Sequence, residues 1–387
     1  MILSVSRSPS RLAIGILALG ALAILPTLLP ARDGLGRSLP LSFGLGTLFG
    51  LVLQRSRFCF WCIFRDWFAH RDPRGMLGIL AALATGAIGY AAVFGAWLPD
   101  PSGGRLPPDA HVGPVSVTLA VGAFLFGIGM ALSGSCVSAH LYRLGEGAFG
   151  SLVALGGAFC GFGLGFIAWN TLYLADLHRA RVIWLPQWLG HGGALALTLG
   201  LLAGLALWIG RAPFPDQPAA RTAWGRIMGQ RWPAVTGGVL VGWIAVLAYL
   251  RVGPLGVTAE LGSLARTAAD GAGLLPMVLH GLDGFAGCAT AIKDSVLSRN
   301  GVFVLGMVLA SALSATLAGD WKPALPPARD LPRLFGGGLL LGFGAMVSLG
   351  CTVGVLLSGI MAGALSGWVF GAFCLAGAWT GWRLRGR

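Results

Sequence analysis

Charge is what this sequence has least of. Charged residues make up 11% of its 387 positions, against roughly 25% in ordinary globular chains, while hydrophobic residues make up 56%. Such a deficit, together with long apolar runs, excludes a soluble globular protein and identifies a polytopic membrane protein. Acidic side chains are scarcer still, 14 against 27 basic ones, and of the basic residues only Lys293 and Lys322 are lysine. In a soluble chain a net charge of +13 would suggest nucleic acid. Here cytoplasmic loop bias and an anionic substrate account for it, and no nucleic-acid partner is expected.

Other patterns are missing. No Walker or Rossmann glycine pattern lies between a strand and a helix, which excludes ATP-driven transport by this chain alone. No His-x-x-x-His or paired Cys-x-x-Cys spacing supports zinc, so neither a metal nor a cofactor is expected. No small-residue cleavage site follows Leu29–Pro30, so the apolar segment behind Arg7 and Arg11 reads as a retained helix rather than a signal peptide.

Glycine, by contrast, is abundant, with 63 residues. The excess suits close helix packing and non-helical backbone inside a membrane. Seven cysteines, an odd number, sit at or beside apolar stretches, which argues against a disulfide framework.

Runs of about 20 apolar residues predict nine crossings, near 11–30, 75–98, 114–133, 148–172, 191–210, 234–251, 301–319, 334–350 and 363–382. Two further stretches, 41–53 and 253–300, are hydrophobic but too short or too broken, and read as half-helices entering and leaving by one face. Segments 54–74 and 211–233 and the C-terminal tail are arginine-rich, whereas 99–113 is net acidic. The positive-inside rule therefore puts the first three in the cytoplasm. Nine crossings put the N-terminus outside, a tenth at 41–53 would move it inside, and the C-terminus is cytoplasmic either way.

The chain repeats itself. At a shift of 228, Arg65-Asp66 falls on Lys293-Asp294 and Leu77-Gly78 on Leu305-Gly306. At 215, Gly127, Gly129, Ser133 and Cys136 fall on Gly342, Gly344, Ser348 and Cys351. At 214, Gly-Ala-Phe-Cys at 157–160 falls on its copy at 371–374. The span at 75–98 and its partner at 301–319 are five places apart in the order of crossings, and an odd offset inverts the halves. The expected fold is an all-α polytopic membrane protein of nine to ten crossings. It is a single membrane domain with one repeat at about 41–172, an inverted one at about 253–382, and connecting helices at 191–251.

Cysteines mark the breaks. The first half reads Arg-Ser-Arg-Phe-Cys-Phe-Trp-Cys-Ile-Phe-Arg-Asp at 55–66, then Gly-Ile-Gly-Met-Ala-Leu-Ser-Gly-Ser-Cys at 127–136. The second reads Gly-Phe-Ala-Gly-Cys-Ala-Thr-Ala-Ile-Lys-Asp at 284–294, then Gly-Phe-Gly-Ala-Met-Val-Ser-Leu-Gly-Cys at 342–351. Inversion brings Cys59 and Cys136 up from the cytoplasmic side and Cys288 and Cys351 down from the other.

In these motifs the chain resembles the YeeE/YedE family of sulfur transporters over about 41–172 and 253–382. The resemblance implies an inner-membrane permease that passes thiosulfate through a central constriction by hydrogen bonds to thiols, with a small TusA-like sulfur-carrier protein as partner. It assigns Arg57 and Cys59 to the Arg-Phe-Cys element, and Cys136 and Cys351 to the two Gly-x-Gly…Cys elements. Some members are associated with selenium, which leaves a selenium compound as an alternative cargo. Cys288 does not align in register with Cys59, and Cys62 is an additional thiol.

The physics is independent of the resemblance. Thiols are weak donors and polarizable acceptors. Weak donors suit a conduit, since tight binding would trap a dehydrated dianion. A bidentate arginine belongs at the entrance. The candidate pathway residues are Cys59, Cys136, Cys351, Cys288, Arg57, Arg65 and Lys293, none of them catalytic. Blander readings stand beside them. Cys160 and Cys374, inside continuous spans, read as small hydrophobes. Arg65–Asp66 and Lys293–Asp294 read first as ion pairs at half-helix ends, and His140 and His280 as satisfied interior histidines. Most of the fourteen tryptophans read as interfacial anchors.

Cys59-x-x-Cys62 also permits a membrane thiol-disulfide oxidoreductase, although no thioredoxin-like βαβ pattern surrounds it. A scaffold subunit would not explain paired polar breaks inside the membrane.

Overall fold

A bilayer offers no water to backbone groups, so a chain this apolar must close its own hydrogen bonds, and helices do so. The computed structural model describes residues 9–34, 36–213, 230–282, 291–293 and 297–386. The first half of the chain contains α1 (Pro9–Leu28), α2 (Leu39–Ser56), α3 (Phe60–His70), α4 (Pro73–Trp97), α5 (Val117–Ser133), α6 (Val137–Gly145) and α7 (Gly150–Ala175). The second contains α8 (Leu185–Ile209), α9 (Ala234–Arg251), α10 (Val257–Gly271), α11 (Arg299–Ala318), α12 (Leu331–Val347), a π-helix (Thr352–Gly359) and α13 (Leu365–Leu384). The only paired strands among the described residues are Pro114–Val115 and Arg181–Val182, which are antiparallel.

All nine expected spans are helical. Among the described residues seven spans are long and apolar enough to cross a membrane, with α5 and α6 together as one of them, or eight if α12 and the π-helix count as one span bent by 42°. α13 is as long as α11, but its three tryptophans and Arg383 make it more polar.

The stretch 41–53 is longer than its hydropathy implies. It is the middle of α2, whose 18 residues span about 27 Å at 1.5 Å per residue, close to a bilayer core. Ser38 caps its start through the Leu41 amide. At its other end Gln54, Arg55 and Ser56, which read as a boundary, are all buried. Gln54 donates to Glu146 at 3.1 Å and accepts from Ser314 at 2.7 Å. Polarity there is covered by protein, not water, so an apolar run alone underestimates the helix.

Contacts between α5 and α12 carry the inversion. A Cβ on Gly344 would lie 2.6 Å from the Gly122 carbonyl oxygen, and one on Gly129 would lie 2.7 Å from that of Gly337. The numbers rise on one helix as they fall on the other, so the two run antiparallel. Each contact is the image of the other under the 215-residue shift, as a twofold axis between the helices requires. Flanking pairs follow the same rule: α13 packs on α5 as α7 packs on α12, and α2 packs on α11 as α9 packs on α4. α2 and α11 run parallel, since Ser42 donates to the Arg299 carbonyl and Ser311 to that of Gly50.

Candidate functional site

Each half breaks after its Gly-x-Gly helix by the same device. Ser133 donates to the carbonyl of Gly129 at 2.8 Å and reaches that of Ser135 at 3.1 Å. Ser348 repeats this with Gly344 at 2.5 Å and Gly350 at 3.1 Å. The chain then turns through positive φ, at Gly134 (86°) in one half and at Leu349 (58°) and Gly350 (154°) in the other. In both halves a cysteine then opens a short helix that carries the chain onward: Cys136 precedes α6 and Cys351 precedes the π-helix. Both thiols are buried. Helix N-termini of this kind aim amides toward an anion.

At the first break the thiols cluster. Cys59, the residue before α3, lies beside both Cys136 and Cys62. Cys59 and Cys62 are three residues apart, one turn of α3, and so share a face. On α6 the residues at Cys136, His140 and Arg143 share a face for the same reason. Arg143 donates to the Cys62 sulfur at 3.2 Å and to the Gly134 carbonyl at 3.3 Å. His140 is buried, with Nδ1 3.3 Å from the Ser151 hydroxyl. Its Nε2 has no hydrogen-bond partner among the described residues. Polarizable sulfurs, a guanidinium and an open imidazole nitrogen therefore meet where the helix is interrupted.

Cys62 and Arg143 also line a cavity of about 360 Å³ that reaches the arginine-rich end of the molecule. Four more arginines line it, Arg57, Arg65, Arg74 and Arg231, against two carboxylates, Asp66 and Asp72. The excess of guanidinium attracts anions.

Cys351 has a different neighbour. Thr258, in the first turn of α10, donates to its sulfur at 3.2 Å. α10 packs on α11 and α7 as α3 packs on α4 and α13. The element opposite Cys351 thus presents a hydroxyl where the element opposite Cys136 presents a thiol. Sequence register had suggested Cys288 for this place, and Cys288 lies outside the described residues, as do Asp283 and Asp294.

The remaining expected site residues are committed to acids. Arg57 pairs with Glu146 at 2.8 Å and approaches Asp320 at 3.6 Å. Arg65 pairs with Asp66 at 2.7 Å on the cavity wall. Lys293 bonds Glu260 and, at 2.6 Å, Ser298. Cys160 faces outward on α7, and Cys374 is buried in α13. His280 is exposed and stacks on Tyr173, so it is not the interior histidine that its position between apolar patches suggests. Arg143 and Thr258 escaped the sequence reading. The signal for Arg143 was its helical spacing from Cys136 and His140, whereas Thr258 had none, since it matches no repeated motif.

The family model for sulphur transport matches residues 55–380, and the chain belongs to that family. It is 28% identical over 360 residues to the thiosulfate transporter TsuA of Escherichia coli strain K12, covering 87% of this chain and 91% of that protein. The thiosulfate transporter TsuA of Spirochaeta thermophila is 27% identical over 349 residues, covering 87% and 96%. The probable transporter YedE of Escherichia coli strain K12 is 29% identical over 192 residues, covering 47% and 43%.

Proposed function

We propose that this member of the sulphur transport family is a permease, not an enzyme, for thiosulfate or a closely related sulfur anion. The observation that carries the reading is the meeting of the buried Cys59 and Cys136 with Arg143 at a helix break beside an arginine-lined cavity. Thiols match thiosulfate on both counts. They are soft acceptors and weak donors, suited to an anion whose terminal sulfur is itself soft. The guanidinium of Arg143 offsets part of the dianion's lost hydration, and the unpartnered Nε2 of His140 supplies a further polar contact.

In this reading the protein sits in the cell inner membrane, with the cavity and the C-terminus facing the cytoplasm, as the arginine bias favours. The repeats at about 41–172 and 253–382 form the two sides of the pathway. Cargo enters past Lys293, passes Cys351 and reaches Cys136 and Cys59. It leaves through the arginine-lined cavity, where Arg57 and Arg65 shape the field while paired to carboxylates. Delivery to a small TusA-like sulfur-carrier protein belongs to the same reading.

The test is growth of a sulfur-auxotrophic host on thiosulfate as sole sulfur source. Growth that depends on the wild-type gene, and is lost with Cys59→Ala or Cys136→Ala at equal membrane levels, is expected. Equal growth with and without the protein would overturn the reading.

A further inference from the structure

Cys62 has no part in the proposed passage of cargo, yet it occupies a chemically exposed place. Its sulfur is the one member of the thiol cluster that lines the cavity, and Cys59 and Cys136 lie buried behind it. Arg143 holds a positive charge 3.2 Å from it. The guanidinium stabilises negative charge as it develops on an attacking sulfur, and a thiolate is the nucleophile of disulfide exchange. Cys59 is the residue before α3 and Cys62 lies one turn on, so the two thiols share a face of the helix. It has extended backbone (φ −128°, ψ 118°) ahead of the helix, so its sulfur can approach Cys62 without breaking the ladder of α3. All the described cysteines are free thiols.

We infer that Cys62 is a thiol-modification site through which small disulfides in the arginine-rich compartment close the pathway, by locking Cys59 into a Cys59–Cys62 disulfide. This rests on the reading that the Cys59 thiol serves the cargo. The chemistry balances in two exchanges. The Cys62 sulfur loses its proton to solvent and attacks one sulfur of the small disulfide, forming a mixed disulfide and expelling a thiolate. The Cys59 sulfur then loses its proton and attacks Cys62 of that mixed disulfide, forming the Cys59–Cys62 bond and expelling the second thiolate. Two protein thiols are oxidised and one small disulfide is reduced to two thiols. The lock removes the Cys59 S–H donor from the pathway. Excess small dithiol reverses both steps.

The experiment uses full-length protein in liposomes with the cavity face accessible, treated with 4,4′-dithiodipyridine and then with dithiothreitol. Peptide mass mapping is expected to find a Cys59–Cys62 link in treated wild type. Thiosulfate transport should be lost with the link and return on reduction. Cys62→Ser should transport normally and keep transporting after treatment. Thiols that stay free, or a link that maps to Cys59–Cys136, would overturn the site. A Cys59–Cys62 link that leaves transport intact would overturn the lock. Cys59→Ala assayed under reducing conditions separates the two ideas: normal transport there sinks the pathway reading itself, whatever the oxidant does.

Discussion

The Cys136 break and the Cys351 break share a serine brace, a buried thiol and a short following helix. The first thiol, however, lies among other sulfurs beside a guanidinium, and the second lies beside one threonine hydroxyl. Inverted symmetry is therefore kept in the backbone and abandoned in the chemistry. In the proposed reading the anion meets different partners at the two breaks, which changes its affinity on each side while the electrochemical gradient sets the direction of net flow. The stronger donor set lies at the arginine-rich end.

The widest way to break this comparison is to break the inversion. Cysteines placed at Ala69, in the last turn of α3, and at Met277, in the exposed loop after α10, should label from opposite sides of the membrane. Labelling from one side would make the two openings the same opening.

Within the first break, Arg143→Gln should cost most after the thiols themselves. Loss of a hydrogen bond to a charged group is about 1.5–3 kcal/mol, which corresponds to roughly ten- to 150-fold in transport at low thiosulfate. Arg143→Lys should recover only part, because the ammonium cannot hold Cys62 and the Gly134 carbonyl in one planar fork. Equal transport by Gln and wild type would remove the charge from the comparison.

At the second break, Thr258→Val deletes one neutral hydrogen bond to Cys351. The expected loss is about 0.5–1.5 kcal/mol, roughly two- to tenfold, measured as initial uptake rate. Thr258→Cys, which gives the second break the chemistry of the first, should transport at least as well as Val. If Thr258→Val costs more than Arg143→Gln, the stronger set is at the other end.

The smallest transport effect is expected at Glu146→Gln. Glu146 bonds Arg57 and Gln54 away from the thiols, and Arg57 is partly exposed. Its loss should lower stability by on the order of 1 kcal/mol, discounted for that exposure. Thermal unfolding in detergent would register the change while uptake per folded molecule stays near normal.

Much of this was legible before any coordinates. Hydropathy found nine helices because lipid contact leaves a long apolar run. The Gly-x-Gly…Cys repeat found both breaks because the glycines are needed where α5 and α12 touch backbone to backbone. The failures have one cause. Hydropathy stopped α2 before Gln54 and Arg55 because it cannot tell polar groups buried in protein from polar groups in water. It passed over Arg143 because a cation in a loop-like stretch looks solvated until α6 turns it onto Cys62. Thr258 was invisible because its role comes from the packing of α10, which no local pattern in the sequence records.

The most direct measurement is radiolabelled thiosulfate uptake into proteoliposomes by single-thiol variants, normalised to inserted protein. Cys136→Ala should fall to the protein-free background, while Cys160→Ala, on the outward face of α7, should match wild type. Wild-type uptake by Cys136→Ala would contradict the thiol passage and leave only a glycine-lined pore.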